Sequence, residues 1–252
     1  MDLSVDWQNA RIASFDLETT GTDTANDRII EVGIVTFEGG ELVDRYQQLV
    51  DPQRELPAEV VKVTGIQPEE LVGQPTLDKV IDDVLGRFEG AVLLAYNHEF
   101  DIGVLTSELA RLGRAYEVPP CLDPFPFCWE HIREQKLTRN AKLTTIASYM
   151  GIPLDEAHRA DHDAEAAARV MLELPNHAVL PNSLQDVLAV QGALMQKLQE
   201  RFNRQRRMRG GEGRSVLSGG EVRIELGAAY LYGEETDPLR ALFQRVPDVR
   251  DL

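Results

Sequence analysis

Three strand-like runs, residues 11–18, 29–37 and 42–50, the second rich in Ile and Val, follow one another with connections that hold no helix. Strands joined this way pair antiparallel, because a parallel return needs a crossover of about a dozen residues or more. The loop over 19–27 is polar and Gly39-Gly40 supplies a tight turn, so a three-stranded meander is predicted.

Beyond the meander the hydrophobic period changes. Residues 57–63 read as a short helix. Thr76 opens a longer one through Val80, Ile81, Val84, Leu85 and Phe88, which recur at helical spacing. Residues 91–96 read as a buried strand. Phe100, Val104, Leu105, Leu109 and Leu112 then form an amphipathic helix that Gly113 stops. Further helices are predicted over 124–134, 142–150 and 161–174. The order βββ-α-β-α-β-α implies an α/β fold, a mixed sheet with helices on its faces.

Pro175 and Pro181 bracket a predicted linker, which divides the chain into a domain over 1–175 and an extension over 176–252. Ser183–Asp186 resembles a capping box opening a long helix, whose apolar positions are Leu184, Val187, Leu188, Leu194, Met195, Leu198 and Phe202. Gly210-Gly211 ends it. A hairpin is expected from 216–217 and 222–226 around Ser218-Gly219-Gly220, and Asp237-Pro238 opens a last short helix.

Composition narrows the class. With 252 residues, 43% of them hydrophobic, the chain can bury a substantial core. Its start lacks a basic region, and apolar runs such as 91–95 fall far below the roughly 20 residues of a membrane span, so a soluble cytoplasmic protein is expected. Cys121 and Cys128 are too few for a disulfide framework and lack zinc-ligand spacing, which suits a reducing interior.

Residues 1–175 carry 15 Lys and Arg against 32 Asp and Glu, whereas 176–252 carry 11 against 10. An acidic surface repels phosphate, which disfavours extended non-specific duplex binding, and any nucleic-acid contact should be short and local. Divalent cations held in an acidic cleft would change that local field. On and after the long helix, Lys197, Arg201, Arg204, Arg206, Arg207, Arg209 and Arg214 could track a nucleic-acid backbone, or form a solvated helix end. The apolar stripe could pack on the first domain, self-associate, or dock on a polymerase, a clamp or another replication or repair protein.

Three acidic segments stand out. Asp16 and Glu18 lie two apart on a strand and project from one face, while Phe15 and Leu17 point to the other. A pair of that kind binds a cation or simply ends a solvated strand. Asp101, in Tyr96-Asn97-His98-Glu99-Phe100-Asp101, falls in the first turn of a helix, where an acid also serves as a dipole partner. Asp163 falls in the first turn of an Ala-rich helix, and His158 precedes it by five residues across a loop-to-helix junction.

Together, Phe-Asp-Leu-Glu-Thr-Thr-Gly at 15–21, Asn-x-x-Phe-Asp at 97–101 and His-x-x-x-x-Asp at 158–163 resemble the three motifs of the DEDDh 3′→5′ exonucleases, a group that includes the epsilon proofreading subunit of bacterial DNA polymerase III. The resemblance covers about residues 10–175, including Arg28-Ile29-Ile30-Glu31-Val32-Gly33 and Val63-Thr64-Gly65-Ile66. It implies a ribonuclease-H-like five-stranded fold. It also implies that Asp16, Glu18, Asp101 and Asp163 ligate two Mg²⁺ or Mn²⁺ ions and that His158 is the general base. In-line attack on a phosphodiester develops charge on two oxygens, which suits two cations held by hard oxygen ligands. Activity should then fall in acid as His158 protonates.

By the same resemblance Thr19 and Thr20 meet the terminal nucleotide and Phe100 helps hold a base. Tyr96 stands where many relatives have His, and Asp123-Pro124 replaces the more usual Asp-Thr. His162 is a rival base, but as the immediate helical neighbour of Asp163 it points about 100° away. His98, beside Asp101, could line the substrate cleft but is expected at the surface, as is Glu99, and Asp161 is expected as a helix cap. The implied activity is hydrolysis of single-stranded DNA from a 3′ end in proofreading or repair. The alternatives are a 3′→5′ exoribonuclease on short RNA and a non-catalytic scaffold with a nuclease fold.

Overall fold

A computed structural model describes residues 2–154 and 158–208 of the chain. The predicted hairpin over 216–226, the helix after Asp237-Pro238, and Arg209 and Arg214 lie outside the described residues. The meander forms as expected: β1 (Arg11–Thr19), β2 (Ile29–Glu38) and β3 (Glu41–Leu49) pair antiparallel, and Gly39 and Gly40 turn with φ of 56° and 81°. After α1 (Ala58–Thr64), α2 (Pro68–Leu71) and α3 (Leu77–Phe88), β4 (Val92–Leu94) joins β1 in parallel. Then α4 (Glu99–Arg111) leads to β5 (Cys121–Leu122), parallel to β4. The sheet order β3-β2-β1-β4-β5 is the mixed five-stranded sheet expected from the sequence.

The pleat sorts side chains between two cores. Ala13, Phe15 and Leu17 of β1, with Val32, Ile34 and Leu93, pack against α3 and α4. Ile12, Val35, Phe37, Val92 and Leu94 face the opposite layer of α5 (Pro124–Cys128), α6 (Leu143–Met150), α7 (Ala160–Glu173) and α8 (Leu184–Met208). Helix α7 turns Ala164, Ala167 and Ala168 to the sheet, so its backbone lies close enough for Ser14 Oγ to donate to the Ala164 carbonyl at 2.7 Å. Gly33 makes that approach possible at the start of α7: a Cβ there would overlap the Ala160 carbonyl carbon and the Asp161 nitrogen. The predicted helix over 124–134 breaks at Cys128, and Trp129–Arg133 continues as a π turn.

The long helix begins as predicted, with the Asp186 N–H on Ser183 Oγ at 3.1 Å. Its apolar stripe is covered by the sheet domain. Leu184 and Val187 join the α7 core, and Phe202 meets Trp129 edge-on at 5.0 Å. Lys197 pairs with Glu130 at 2.5 Å and Arg201 with Glu134, so two of the basic residues are spent on docking the helix. The connection before α8 is held from the N-terminus, where Trp7 Nε1 donates to the Pro181 carbonyl and Leu184 N to that of Val5, both at 2.9 Å.

Candidate active site

The carboxyl end of β1 carries the first pair. Asp16 and Glu18 alternate with buried Phe15 and Leu17, so both acids project on the α7 side, as the strand period requires. Asp101 sits in the first turn of α4 and accepts the Leu17 N–H at 3.1 Å, which ties it to the backbone between the two acids. Asp163 sits in the first turn of α7 and accepts the His158 N–H at 2.9 Å. That bond closes the loop, with His158 in a left-handed conformation at φ 71° and its side chain exposed. One ligand atom each from Glu18, His158 and Asp163 lies within 4.8 Å of the others. The three segments, remote in sequence, therefore converge.

Burial and crowding raise the proton affinity of the acids. Burial pushes Asp16 well above the carboxylate range, and the charges of Asp101, Asp163, Glu18 and Glu31 add to it. Glu18 is pushed up to about 8, by burial first and then by Asp163, Glu31 and Asp101, with Arg159 opposing. Asp101 reaches about 7 through burial, although the Leu17 N–H holds it down. Burial also raises Asp163, against the His158 N–H. Close carboxylates that repel one another in a sheltered cleft, with hard oxygen donors and one imidazole at the rim, fit a divalent cation.

Several residues differ from expectation. His98 is buried rather than exposed, because its Nδ1 lies 2.9 Å from Asp123 Oδ2. Burial lowers its pKa, but the Asp123 hydrogen bond and charge outweigh that and the net direction is up. Glu99 is half-buried, and burial pushes it up to about 7. Asp161 is not the cap of α7. Arg159 holds that position, while Asp161 lies inside the first turn, paired with Arg45 at 2.5 Å. His162 lies 3.8 Å from Asp161 and is not in the cluster with Glu18 and Asp163.

Thr19 and Thr20 are buried. Their hydroxyls bond the Gly21 carbonyl at 2.5 Å and Asp27 at 2.9 Å, which shapes the loop after β1. Phe100 is partly buried against the α3–α4 core.

Glu31 went unassigned in the sequence and is central here. Fully buried on β2, it accepts from Arg159 at 2.8 Å, the Ala160 N–H at 3.0 Å and Gln47 at 2.8 Å. It therefore fixes the start of α7, which carries Asp163. A charged residue within an apolar strand was the available signal.

The model of a protein family described as Exonuclease matches residues 14–171. The chain is 35% identical over 157 residues to the DNA polymerase III PolC-type of Clostridium perfringens, an alignment covering 62% of this chain and 11% of that one. It is 30% identical over 167 residues to the DNA polymerase III subunit epsilon of Treponema pallidum, covering 66% and 75%. The chain thus spans a small part of the PolC-type relatives and most of the epsilon subunit. Among solved structures, E. coli Exonuclease I in complex with a dA16 oligonucleotide superposes with a TM-score of 0.59 at 17% identity, covering 67% of this chain and 41% of that one. That likeness speaks to the fold.

Proposed function

Because this chain belongs to the exonuclease family, we propose that it is a metal-dependent 3′→5′ exonuclease that releases nucleoside monophosphates from single-stranded DNA, in proofreading or repair. The observation that carries the reading is the meeting of Glu18, His158 and Asp163 within 4.8 Å, beside Asp16 and Asp101. Names support the substrate: the relatives are DNA polymerase components, and the superposed Exonuclease I is bound to an oligodeoxynucleotide.

In this reading Asp16, Glu18, Asp101 and Asp163 hold two Mg²⁺ or Mn²⁺ ions, which when bound offset the clustered charge and favour ionisation of water. His158, exposed at the rim, takes the proton of the attacking water. The loop of Thr19 and Thr20 adjoins the terminal nucleotide, and Phe100 contributes apolar surface beneath a base. Residues 1–175 are the catalytic unit. In the extension over 176–252, exposed Arg204 and Arg207 remain as basic contacts for a nucleic-acid strand or a replication partner. Among the described residues no helix is long and apolar enough to cross a membrane.

The test is digestion of 5′-labelled single-stranded DNA and RNA oligonucleotides in Mg²⁺ or Mn²⁺. A ladder shortening from the 3′ end on DNA, absent in chelator, is expected. Immediate release of the 5′ label contradicts the polarity, and faster RNA digestion contradicts the substrate.

A further inference from the structure

We propose that Gln191 of α8, outside the family-matched residues 14–171, is a positioning residue of the active site, acting through Asp123 on the segment that carries Asp101. The proposal rests on the exonuclease reading.

Gln191 is buried, and both ends of its amide are engaged with the β5 region. Its Oε1 accepts the Asp123 N–H at 2.7 Å, and its Nε2 donates to the Cys121 carbonyl at 3.0 Å. A side chain that satisfies one backbone donor and one backbone acceptor fixes that segment against the helix, because neither group has water to fall back on.

Asp123, fully buried, relays the position. One oxygen accepts the Asn97 N–H at 2.9 Å and the Phe125 N–H at 2.8 Å; the other accepts the His98 N–H at 3.2 Å and lies 2.9 Å from His98 Nδ1. Asn97 has a left-handed backbone, φ 63°, which Asn tolerates better than most residues but which the surroundings must still hold. The next residues begin α4, and Asp101 reaches the Leu17 N–H between Asp16 and Glu18 at 3.1 Å.

A series of hydrogen bonds, joined through the backbone from Asn97 to Asp101, thus runs from α8 to the acidic cluster. Asp123 belongs to the domain, but the group that grips its backbone comes from the helix after it. Docking of α8 therefore sets the placement of Asp101 as well as covering apolar surface. Catalysis depends on such placement far more steeply than folding does.

Gln191→Met removes both hydrogen bonds at similar volume, and Val187→Ala one turn earlier removes buried packing while leaving the series intact. Both full-length variants are compared with wild type for Tm, for kcat and KM on a single-stranded oligodeoxynucleotide, and for the Mn²⁺ concentration that half-saturates the rise in Tm. Gln191→Met should lower kcat by about 10- to 100-fold with KM little changed and should need more Mn²⁺. Val187→Ala should lower Tm but keep wild-type kcat and Mn²⁺ response. Wild-type kcat and Mn²⁺ response in Gln191→Met, or losses in both variants that simply follow Tm, would overturn the proposal. A wild-type protein without metal-dependent hydrolysis would instead sink the exonuclease reading, and the Mn²⁺ titration would still report whether Gln191 shapes the site.

Discussion

Gly33 of β2 and Ala160 at the start of α7 touch so closely that one added methyl group would lie 2.1 Å from the Ala160 carbonyl carbon. Strand and helix are thereby locked at the point where the chain leaves His158 and enters the turn carrying Asp163. Gly33→Ala must push α7 off the sheet. Overpacking of this kind costs about 1–3 kcal/mol, and a displacement near 1 Å at a catalytic group costs about 10²-fold in rate. Thermal melting and turnover on an oligodeoxynucleotide should both fall; an unchanged rate would show that this contact does not place the site.

Glu31 holds the same junction through charge. Glu31→Leu leaves the Ala160 N–H and the Gln47 amide without their acceptor and Arg159 without its carboxylate. An orphaned buried donor costs about 1–3 kcal/mol. Tm should drop accordingly, and activity should fall as well because His158 and Asp163 flank Ala160. Chemical denaturation alongside kcat measures the two separately.

Without metal, the acidic cluster should make stability fall as pH rises. Glu18 goes from an ordinary 4.5 to about 8 and Asp101 from 3.8 to about 7 in the folded chain, so the native state holds these protons more tightly than the unfolded one. The stability linked to them is complete below the unfolded values and is lost as pH rises through about 7 to 8. Melting in chelator should therefore show a decline across pH 5 to 8, roughly the window between the ordinary and raised values, and Mn²⁺ should reverse it. A flat profile in chelator would mean that these carboxylates are neither sheltered from water nor crowded.

Asp101→Asn keeps an oxygen for the Leu17 N–H and removes one buried charge. It should raise Tm in chelator at alkaline pH, abolish hydrolysis and weaken the Mn²⁺ effect. His158→Ala, at an exposed position, should leave Tm nearly unchanged and lower kcat by about 10²- to 10⁴-fold, the usual worth of a general base. Loss of folding in either variant would contradict the roles given to them.

The meander, the helix faces and the local placement of Asp16, Glu18, Asp101 and Asp163 were legible because each follows from a short-range period: alternation on β1, first-turn placement on α4 and α7. His98, Asp123, Glu31 and Gln191 were not, because their roles arise from contacts between segments far apart in the chain. His98 was expected at the surface, yet Asp123, 25 residues away, gives its ring a buried partner. Asp161 was expected as a cap, but the helix begins one residue before it and Arg45 of β3 claims the carboxylate. The covering of α8 by the sheet domain depended likewise on Trp129, Glu130 and Glu134, none of which carries a local signature.

Direct titration of Mn²⁺ into the metal-free protein, read by the electron paramagnetic resonance of the free ion, tests the convergence of the acids most plainly. Wild type should take up two ions per chain, and Asp101→Asn should take up fewer or bind them far more weakly. No uptake by the folded wild-type chain at millimolar Mn²⁺, or equal uptake by the two proteins, would contradict the account.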